Sequence, residues 1–289
     1  MSTYIKHSCD LCQSSNALEV PFSRLYQNNQ PTHICKNCGF VYVKNRRSAE
    51  EIAKTWSEEL YRENKNSYKP YTSNIPAVKA RLTYVADFIH KKIGLHGKKV
   101  VDIGAGEGLF INIAWSQYQA EVLGIEPSSE NCKMIKSQGM DCFVGTIEEY
   151  IANGRKEIAD IVTISWTLEA CSSSRDMLDA AWKILKPDGH IAVATGSRIL
   201  VPFKKPLGDF LSFNPTDTHP VRFSANTLEG LLSECSFKKK CVNRFLDTDY
   251  LCMIARKVPR DLKLNWKKDN WLKVYDFFER WHKESMYYM

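Results

Sequence analysis

Short apolar runs alternate with helix-period stretches through the middle of the chain. Lys99 to Ile103, Glu121 to Ile125, Cys142 to Val144, Asp160 to Ser165 and His190 to Thr195 read as strands. Between them, Phe110 to Tyr118, Ser128 to Gln138, a short piece from Ile147, and Ser173 to Leu185 carry apolar residues at helical spacing. Pro187-Asp188-Gly189 marks a turn before the last of these strands. Such alternation predicts an α/β domain with a mostly parallel sheet and helices on both faces.

The pattern extends outward from this centre. Val78, Leu82, Val85, Phe88 and Ile89 predict a helix over Ala77–Ile93. Ser224 caps a helix that runs through Leu232, and Lys238 to Arg244 with Asp249 to Arg256 read as an antiparallel strand pair. Residues 197–220 break the rhythm, and an irregular segment of that length is more often functional than idle. From Asn270 to Tyr288, residues Trp271, Val274, Tyr275, Phe278 and Trp281 share one helical face. That stripe serves core packing or a dimer contact, so a monomer or a homodimer is expected.

The first forty-odd residues differ in character. They are rich in Cys, Asn, Gln and Ser and lack helical periodicity. Ser48-Ala-Glu-Glu begins a capped helix, and Tyr61 to Asn74 is a polar connector. The expected organisation is a small module at 1–47, a helical linker at 48–76, the α/β domain at 77–257, and an amphipathic helical tail at 258–289. No apolar run is long enough to span a bilayer, and the first residues carry no apolar signal core. A cytoplasmic location is expected on that basis. The net charge of +7 is modest for 289 residues, so a nucleic-acid partner is not indicated. A phosphate-bearing small molecule suits it equally well.

Ten cysteines are present, and four of them form two close pairs, Cys9-Asp-Leu-Cys12 and Cys35-Lys-Asn-Cys38-Gly39. Each pair fits one tight turn, and four thiolates complete a tetrahedral zinc site with no open position. That makes the metal structural. His7 and His33 lie nearby but are not needed as ligands.

The richest chemistry lies in Val101-Asp102-Ile103-Gly104-Ala105-Gly106-Glu107-Gly108-Leu109. A strand ends in a glycine-rich turn that opens a helix, which lets the backbone approach a ligand. Leu109 stands where the dinucleotide fingerprint requires glycine. Glu126 follows at the end of the next strand, where a carboxylate can accept two ribose hydroxyls. A Rossmann-like domain that binds another ligand is the competing reading.

These residues resemble the first two motifs of class I S-adenosylmethionine (SAM) dependent methyltransferases, the second being Gly124-Ile125-Glu126-Pro127-Ser128. Asp160 to Ile164 resembles the family's fourth strand, and Leu185 to His190 its next turn. The resemblance covers roughly residues 75–257. It implies a seven-stranded Rossmann-like sheet with the last strand antiparallel, and SAM as cofactor. It places Asp102, Gly104, Ala105, Gly106, Gly108, Leu109, Glu126 and Pro127 around the donor. Gly145 and Thr146 would lie by the adenine, with Ser165 and Trp166 beside the ligand.

With the cysteine pairs, the chain is similar to bacterial methyltransferases of sugar and surface-glycan pathways. That implies a carbohydrate acceptor, most simply a nucleotide-linked sugar, methylated at oxygen or carbon. It also implies that Tyr68 or Tyr71 reaches over the SAM site. Thr218-His219-Pro220-Val221-Arg222-Phe223-Ser224 resembles an element of the sugar enzymes, which makes His219 the candidate base and Arg222 a candidate anion contact. Where many relatives have Glu-His, this chain has Glu169-Ala170-Cys171, so Glu169 remains as the polar group there. Two other expectations stay open: an enzyme acting on RNA or protein through a zinc ribbon, and a scaffold that has lost catalysis.

Overall fold

The computed structural model describes residues 4–27, 30–54, 76–154, 156–203, 205–211 and 219–288. Its centre is a sheet of seven strands: β6 (Lys99–Ile103), β7 (Glu121–Glu126), β8 (Asp141–Val144), β9 (Ala159–Ser165), β10 (Leu185–Thr195), β12 (Phe237–Val242) and β13 (Leu251–Lys257). The spatial order is β12-β13-β10-β9-β6-β7-β8. Strands β6 to β10 pair in parallel, and β13 runs antiparallel to both its neighbours. The order reverses beside β6, and the carboxyl ends there open a crevice.

Alternation along the strands places a core on each face. Val101, Ile103, Val162 and Ile164 pack with α7 (Ser174–Ile184) and α9 (Ala225–Glu234). Val100, Ile161 and Ala192 pack with α3 (Pro76–Ile93), α4 (Leu109–Tyr118) and α5 (Ser129–Ser137). Helix starts follow local chemistry. Ser128 and Ser173 each accept a backbone N–H three residues on. Thr146 with Glu149 forms a capping box on α6 (Ile147–Ala152), and Ser224 with Thr227 does so on α9.

The turn expected at Pro187-Asp188-Gly189 is instead an irregularity inside β10. Pairing jumps from Leu185↔Ala159 to His190↔Ile161, and Asp188 takes φ +61°. A bulge of this kind absorbs the extra residues without ending the strand.

The cysteine-rich segment does not close on itself. Strands β2 (Ala17–Glu19), β3 (Thr32–Cys35) and β4 (Val41–Val43) form a small antiparallel sheet. Its fourth strand is β11 (Val221–Arg222), supplied from beyond the irregular segment. A separate two-stranded ribbon joins β1 (Tyr4–Lys6) to β5 (Asn45–Arg47). A short helix, α1 (Arg24–Gln27), lies between β2 and β3, and α2 opens at 49–54 with Ser48 and Glu51 exchanging cap hydrogen bonds. Within 197–220, α8 (Leu207–Leu211) forms one short helix.

The aromatic stripe of the tail is core. In α10 (Trp271–Ser285), Val274, Phe278 and Trp281 pack with Val20, Tyr26, Ile34 and Val41, and with Ile199, Leu207 and Leu211. Burial of side chains this size contributes about 1.5–3 kcal/mol each. Tyr26 Oη bonds His282 Nδ1 at 2.8 Å, and Phe22 stacks on the same imidazole. The tail therefore fastens the N-terminal sheet and the irregular segment together.

Candidate active site

A cleft of about 1250 Å³ opens at the carboxyl ends of β6, β7 and β9. Its floor is the glycine turn. Gly104, Gly106 and Gly108 all have positive φ, at +72°, +55° and +80°. They divide the work. A side chain on Gly104 would strike Thr167, and one on Gly108 would strike Ile135, so those two serve close packing. Gly106 faces open space within the cleft, where a ligand rather than the protein needs the room.

Glu126 is fixed beside that opening. Its Oε2 accepts from Gly106 N at 2.9 Å, while Oε1 accepts from Ser128 N at 3.0 Å and Asn131 Nδ2 at 3.3 Å. Burial raises its pKa above the usual carboxylate range, opposed by these hydrogen bonds. Asp102 is wholly buried and accepts from Thr163 Oγ1 at 2.6 Å. Burial pushes its pKa up to about 7, so it exchanges a proton near neutrality.

Ala105, Leu109, Pro127, Gly145, Thr146, Ser165 and Trp166 also line the cleft. Gly108 does not; it sits one residue behind, capping α4. Trp166 takes the left-handed conformation at φ +57° and meets Tyr250 edge to face at 5.2 Å. Such backbone strain in a non-glycine residue is common where a site demands it. The buried Ser165 Oγ has no partner among the described residues. Tyr68 and Tyr71 lie outside the described residues.

The sequence matches the family described as "Methyltransferase domain" over residues 77–241. The chain belongs to that methyltransferase family.

Among curated relatives, this methyltransferase is 28% identical over 165 residues to the ubiquinone biosynthesis O-methyltransferase of Pasteurella multocida, covering 52% of this chain and 63% of the relative. It is 24% identical over 189 residues to the mitochondrial ubiquinone biosynthesis O-methyltransferase of Mus musculus, covering 61% and 47%. The matches thus span less than two thirds of those relatives' lengths. Among solved structures, Burkholderia thailandensis 1,6-didemethyltoxoflavin-N1-methyltransferase, solved with bound 1,6-didemethyltoxoflavin and S-adenosylhomocysteine, superposes with TM-score 0.56 at 16% identity, covering 76% of this chain and 96% of that one. The [4+2]-cyclase SpnF superposes with TM-score 0.54 at 15% identity, covering 73% and 97%. These likenesses establish the fold, and the cyclase among them shows that fold alone does not name a reaction.

The far end of the cleft in this methyltransferase holds residues that no local motif announced. His7, Ala49, Glu50 and Lys54 come from the N-terminal segment, Cys171, Ser172 and Ser173 from the approach to α7, and Asp176 from its first turn. His219 lines the same cleft, and its Nδ1 lies 2.7 Å from Ser197 Oγ. Burial, then Arg222 and Lys205, lowers its pKa to about 4, so the ring is neutral through the physiological range.

Two sequence-predicted residues sit elsewhere. Glu169 is fully buried and does not line the cleft, and its Oε1 accepts from Gly196 N at 3.1 Å. Burial raises its pKa to about 7. Arg222, expected as an anion contact, is buried away from the cleft. Its Nη1 and Nη2 donate to the carbonyls of His219 and Leu211 at 3.1 and 3.2 Å, and Phe210 stacks on it. Its backbone pairs with Val41 of β4, and its side chain does not line the cleft.

The four cysteines converge. Cys9, Cys12, Cys35 and Cys38 place their Sγ atoms within 4.8 Å of one another, with Cys9–Cys38 at 3.6 Å and Cys12–Cys35 at 3.5 Å. Metal–sulfur bonds of about 2.3 Å at tetrahedral angles require S···S distances of roughly 3.8 Å, so the donor set fits a single ion. His7 and His33 stand outside it; His33 Nδ1 lies 2.9 Å from Pro31 O. Gly39, at φ +76°, lets the backbone of Asp269 approach the second cysteine turn, and Asp269 N donates to Cys38 O at 3.2 Å.

Proposed function

We propose that this chain transfers the methyl group of SAM to the oxygen of a small, hydroxyl-rich acceptor of the carbohydrate class. The observation that carries the reading is Glu126, a desolvated carboxylate pinned to Gly106 N at the mouth of a glycine turn. Ribose hydroxyls can donate to that carboxylate, and the open face of Gly106 leaves room for the donor's amino-acid end. When bound, SAM supplies an electrophilic methyl on a positively charged sulfur. Asp102 supports the turn near the donor's ammonium group, Pro127, Gly145 and Thr146 frame the base, and Ser165 offers its hydroxyl beside the reacting centre.

The cleft exceeds the usual 300–1,000 Å³ of a single-ligand pocket, which supports a donor and an acceptor held together. At the acceptor end, His7, Ser172, Ser173, Glu148 and Asp176 supply hydroxyl partners. At that end the lining carboxylates Glu50, Glu148 and Asp176 outnumber Lys54. A phosphate is therefore unwelcome on this wall, and the phosphates of a nucleotide-linked sugar would have to lie outside it. The same wall disfavours an RNA backbone. Oxygen is favoured as the methylated atom because the named relatives are O-methyltransferases.

In this reading His219 is the base. Ser197 orients the ring through Nδ1. Nε2 would take the acceptor's hydroxyl proton while that oxygen replaces sulfur on the methyl carbon, the carbon–sulfur electron pair remaining on sulfur as a neutral thioether. The four cysteines would hold Zn²⁺ as a closed, structural site.

Isothermal titration with SAM tests the core of this. Binding at micromolar level is expected, and absence of heat with the folded wild type would end the proposal. A screen of sugars with methyl-labelled SAM then identifies the acceptor. With it, His219→Ala should cut turnover about 10²-fold or more while leaving SAM affinity unchanged. Full activity in that variant would remove His219 from the mechanism.

A further inference from the structure

The cysteine cluster lies apart from the glycine turn, yet each of its two turns is tied to the end of a helix of the central domain. In the first, Asp10 lies between Cys9 and Cys12 and is buried. Its carboxylate receives Arg46 bidentately, Nη1 at 3.0 Å and Nη2 at 2.5 Å. It also accepts from Ser174 N, the first residue of α7, at 3.3 Å. Arg46, fully buried, donates onward to Val43 O at 2.7 Å and to Ser172 O at 2.7 Å. Arg175 closes the bracket by donating to the carbonyls of Asp10 and Leu11 at 2.9 and 2.7 Å. In the second turn, Asp269 binds Cys38 O and receives Ser224 Oγ and Asn226 Nδ2 at the start of α9.

The first bracket matters for chemistry because of what it holds. Cys171, Ser172, Ser173 and Asp176 form the acceptor side of the cleft, and His7 joins them from two residues before Cys9. Arg46 binds the carbonyl of Ser172 and Asp10 the amide of Ser174, beside side-chain bonds from Ser172 Oγ to Arg47 O and from Ser174 Oγ to Leu168 O. The donor side is different. Gly104, Ala105, Gly106 and Glu126 take their backbone and carboxylate hydrogen bonds from β7, the glycine turn and the start of α5, with Thr167 Oγ1 adding one contact to Gly104 O at 3.4 Å.

We propose that Asp10 is a positioning residue that ties occupancy of the cysteine cluster by a metal to the shape of the acceptor wall. With the ion bound, the turn carrying Asp10 is rigid, and its carboxylate holds 172–176 and Arg46 in register. Without the ion, four neighbouring thiols lose their common centre. The turn loosens, and the buried pair with Arg46 loses the geometry that offsets its desolvation. The acceptor wall then opens while the donor half stays formed. This rests on the methyltransferase reading only for the meaning of the two halves.

The experiment is hydrogen–deuterium exchange on the full chain as purified, after chelation, and in Asp10→Ala and Asp10→Asn, with SAM titration and elemental analysis in parallel. Peptides covering 168–177 should exchange at least about tenfold faster in Asp10→Ala and after metal removal, while those covering 99–126 hold their protection. Asp10→Asn, which keeps acceptor oxygen but not charge, should recover part of the protection. SAM affinity should stay within about twofold throughout, because the donor half is held by other contacts.

Unchanged exchange at 168–177 in both Asp10→Ala and chelated protein would overturn the proposal. So would uniform loss of protection across the central sheet, which denotes a merely structural role, or purified protein that contains no metal. Failure of wild type to bind SAM would instead defeat the functional reading, and the exchange data would still decide this one.

Discussion

In the proposed reading, the donor and acceptor halves of the cleft are built by different means. Donor residues fall in a few short segments, from Asp102 to Leu109, from Glu126 to Asn131, and from Gly145 to Thr146, each at the end of a strand and the start of a helix. Acceptor residues arrive from His7, from 49–54, from 170–177 and from His219. One half is a local backbone device repeated on neighbouring parallel strands. The other exists only because the N-terminal sheet borrows β11 and the tail packs across both. The difference teaches that donor recognition should survive damage that acceptor recognition does not.

The strongest break is expected at the junction of the tail. Phe278 is fully buried among N-terminal, irregular-segment and tail residues. Phe278→Ala should cost about 3–5 kcal/mol, read by chemical or thermal denaturation. A separate early transition of the N-terminal sheet, with SAM binding retained below it, would sharpen the contrast. One cooperative transition that abolishes both functions together would erase it.

Next comes the donor half alone. Glu126→Gln keeps the size but loses the charge that receives two ribose hydroxyls. SAM affinity should fall about 10²-fold, since hydrogen bonds to charged groups contribute roughly 1.5–3 kcal/mol each. Exchange protection at 168–177 should not move. An unaltered dissociation constant would show that Glu126 serves only the Gly106–Ser128 backbone.

The smallest effect is on pH. Asp102 is raised from 3.8 to about 7, and Glu169 from 4.5 to about 7, both by burial. A raised folded-state pKa means the folded chain binds extra protons. That stability is fully present below about pH 4 and is lost as pH rises through 7. His219, depressed from 6.5 to about 4, works the other way, since its contribution is lost as pH falls through 4. Asp102 and Glu169 should therefore soften the ligand-free protein between pH 5 and 7.5, while His219 and the other imidazoles lowered by burial, His7, His33, His190 and His282, pull the opposite way in the acidic part of that range. Asp102→Asn and Glu169→Gln should each flatten that slope. A slope that neither substitution alters would contradict the burial argument.

Much of the fold was legible along the chain. Strand ends, serine and threonine caps and the glycine turn announced themselves because their chemistry is confined to a few consecutive residues. The convergence of the four cysteines was legible for the same reason. Arg222 misled because an arginine beside a candidate base looks the same in sequence whether it faces a cleft or a sheet. In the sequence, His7 reads only as a neighbour of the first cysteine pair. Nothing near it in sequence indicates that 170–177 stands across the cleft. The bulge in β10 passed for a turn because Pro-Asp-Gly favours both.

By itself, then, the amino-acid order determined which segments become strands and helices, where a ligand-ready backbone bend forms, and which thiols can share an ion. These follow from forces acting over a turn or two of chain. Only the tertiary structure decided that β11 completes the N-terminal sheet, that the tail is core, and that Asp10 grips the start of α7. Those pairings join residues far apart in the chain. Their energies depend on burial and on meeting one partner among many, which local chemistry does not specify.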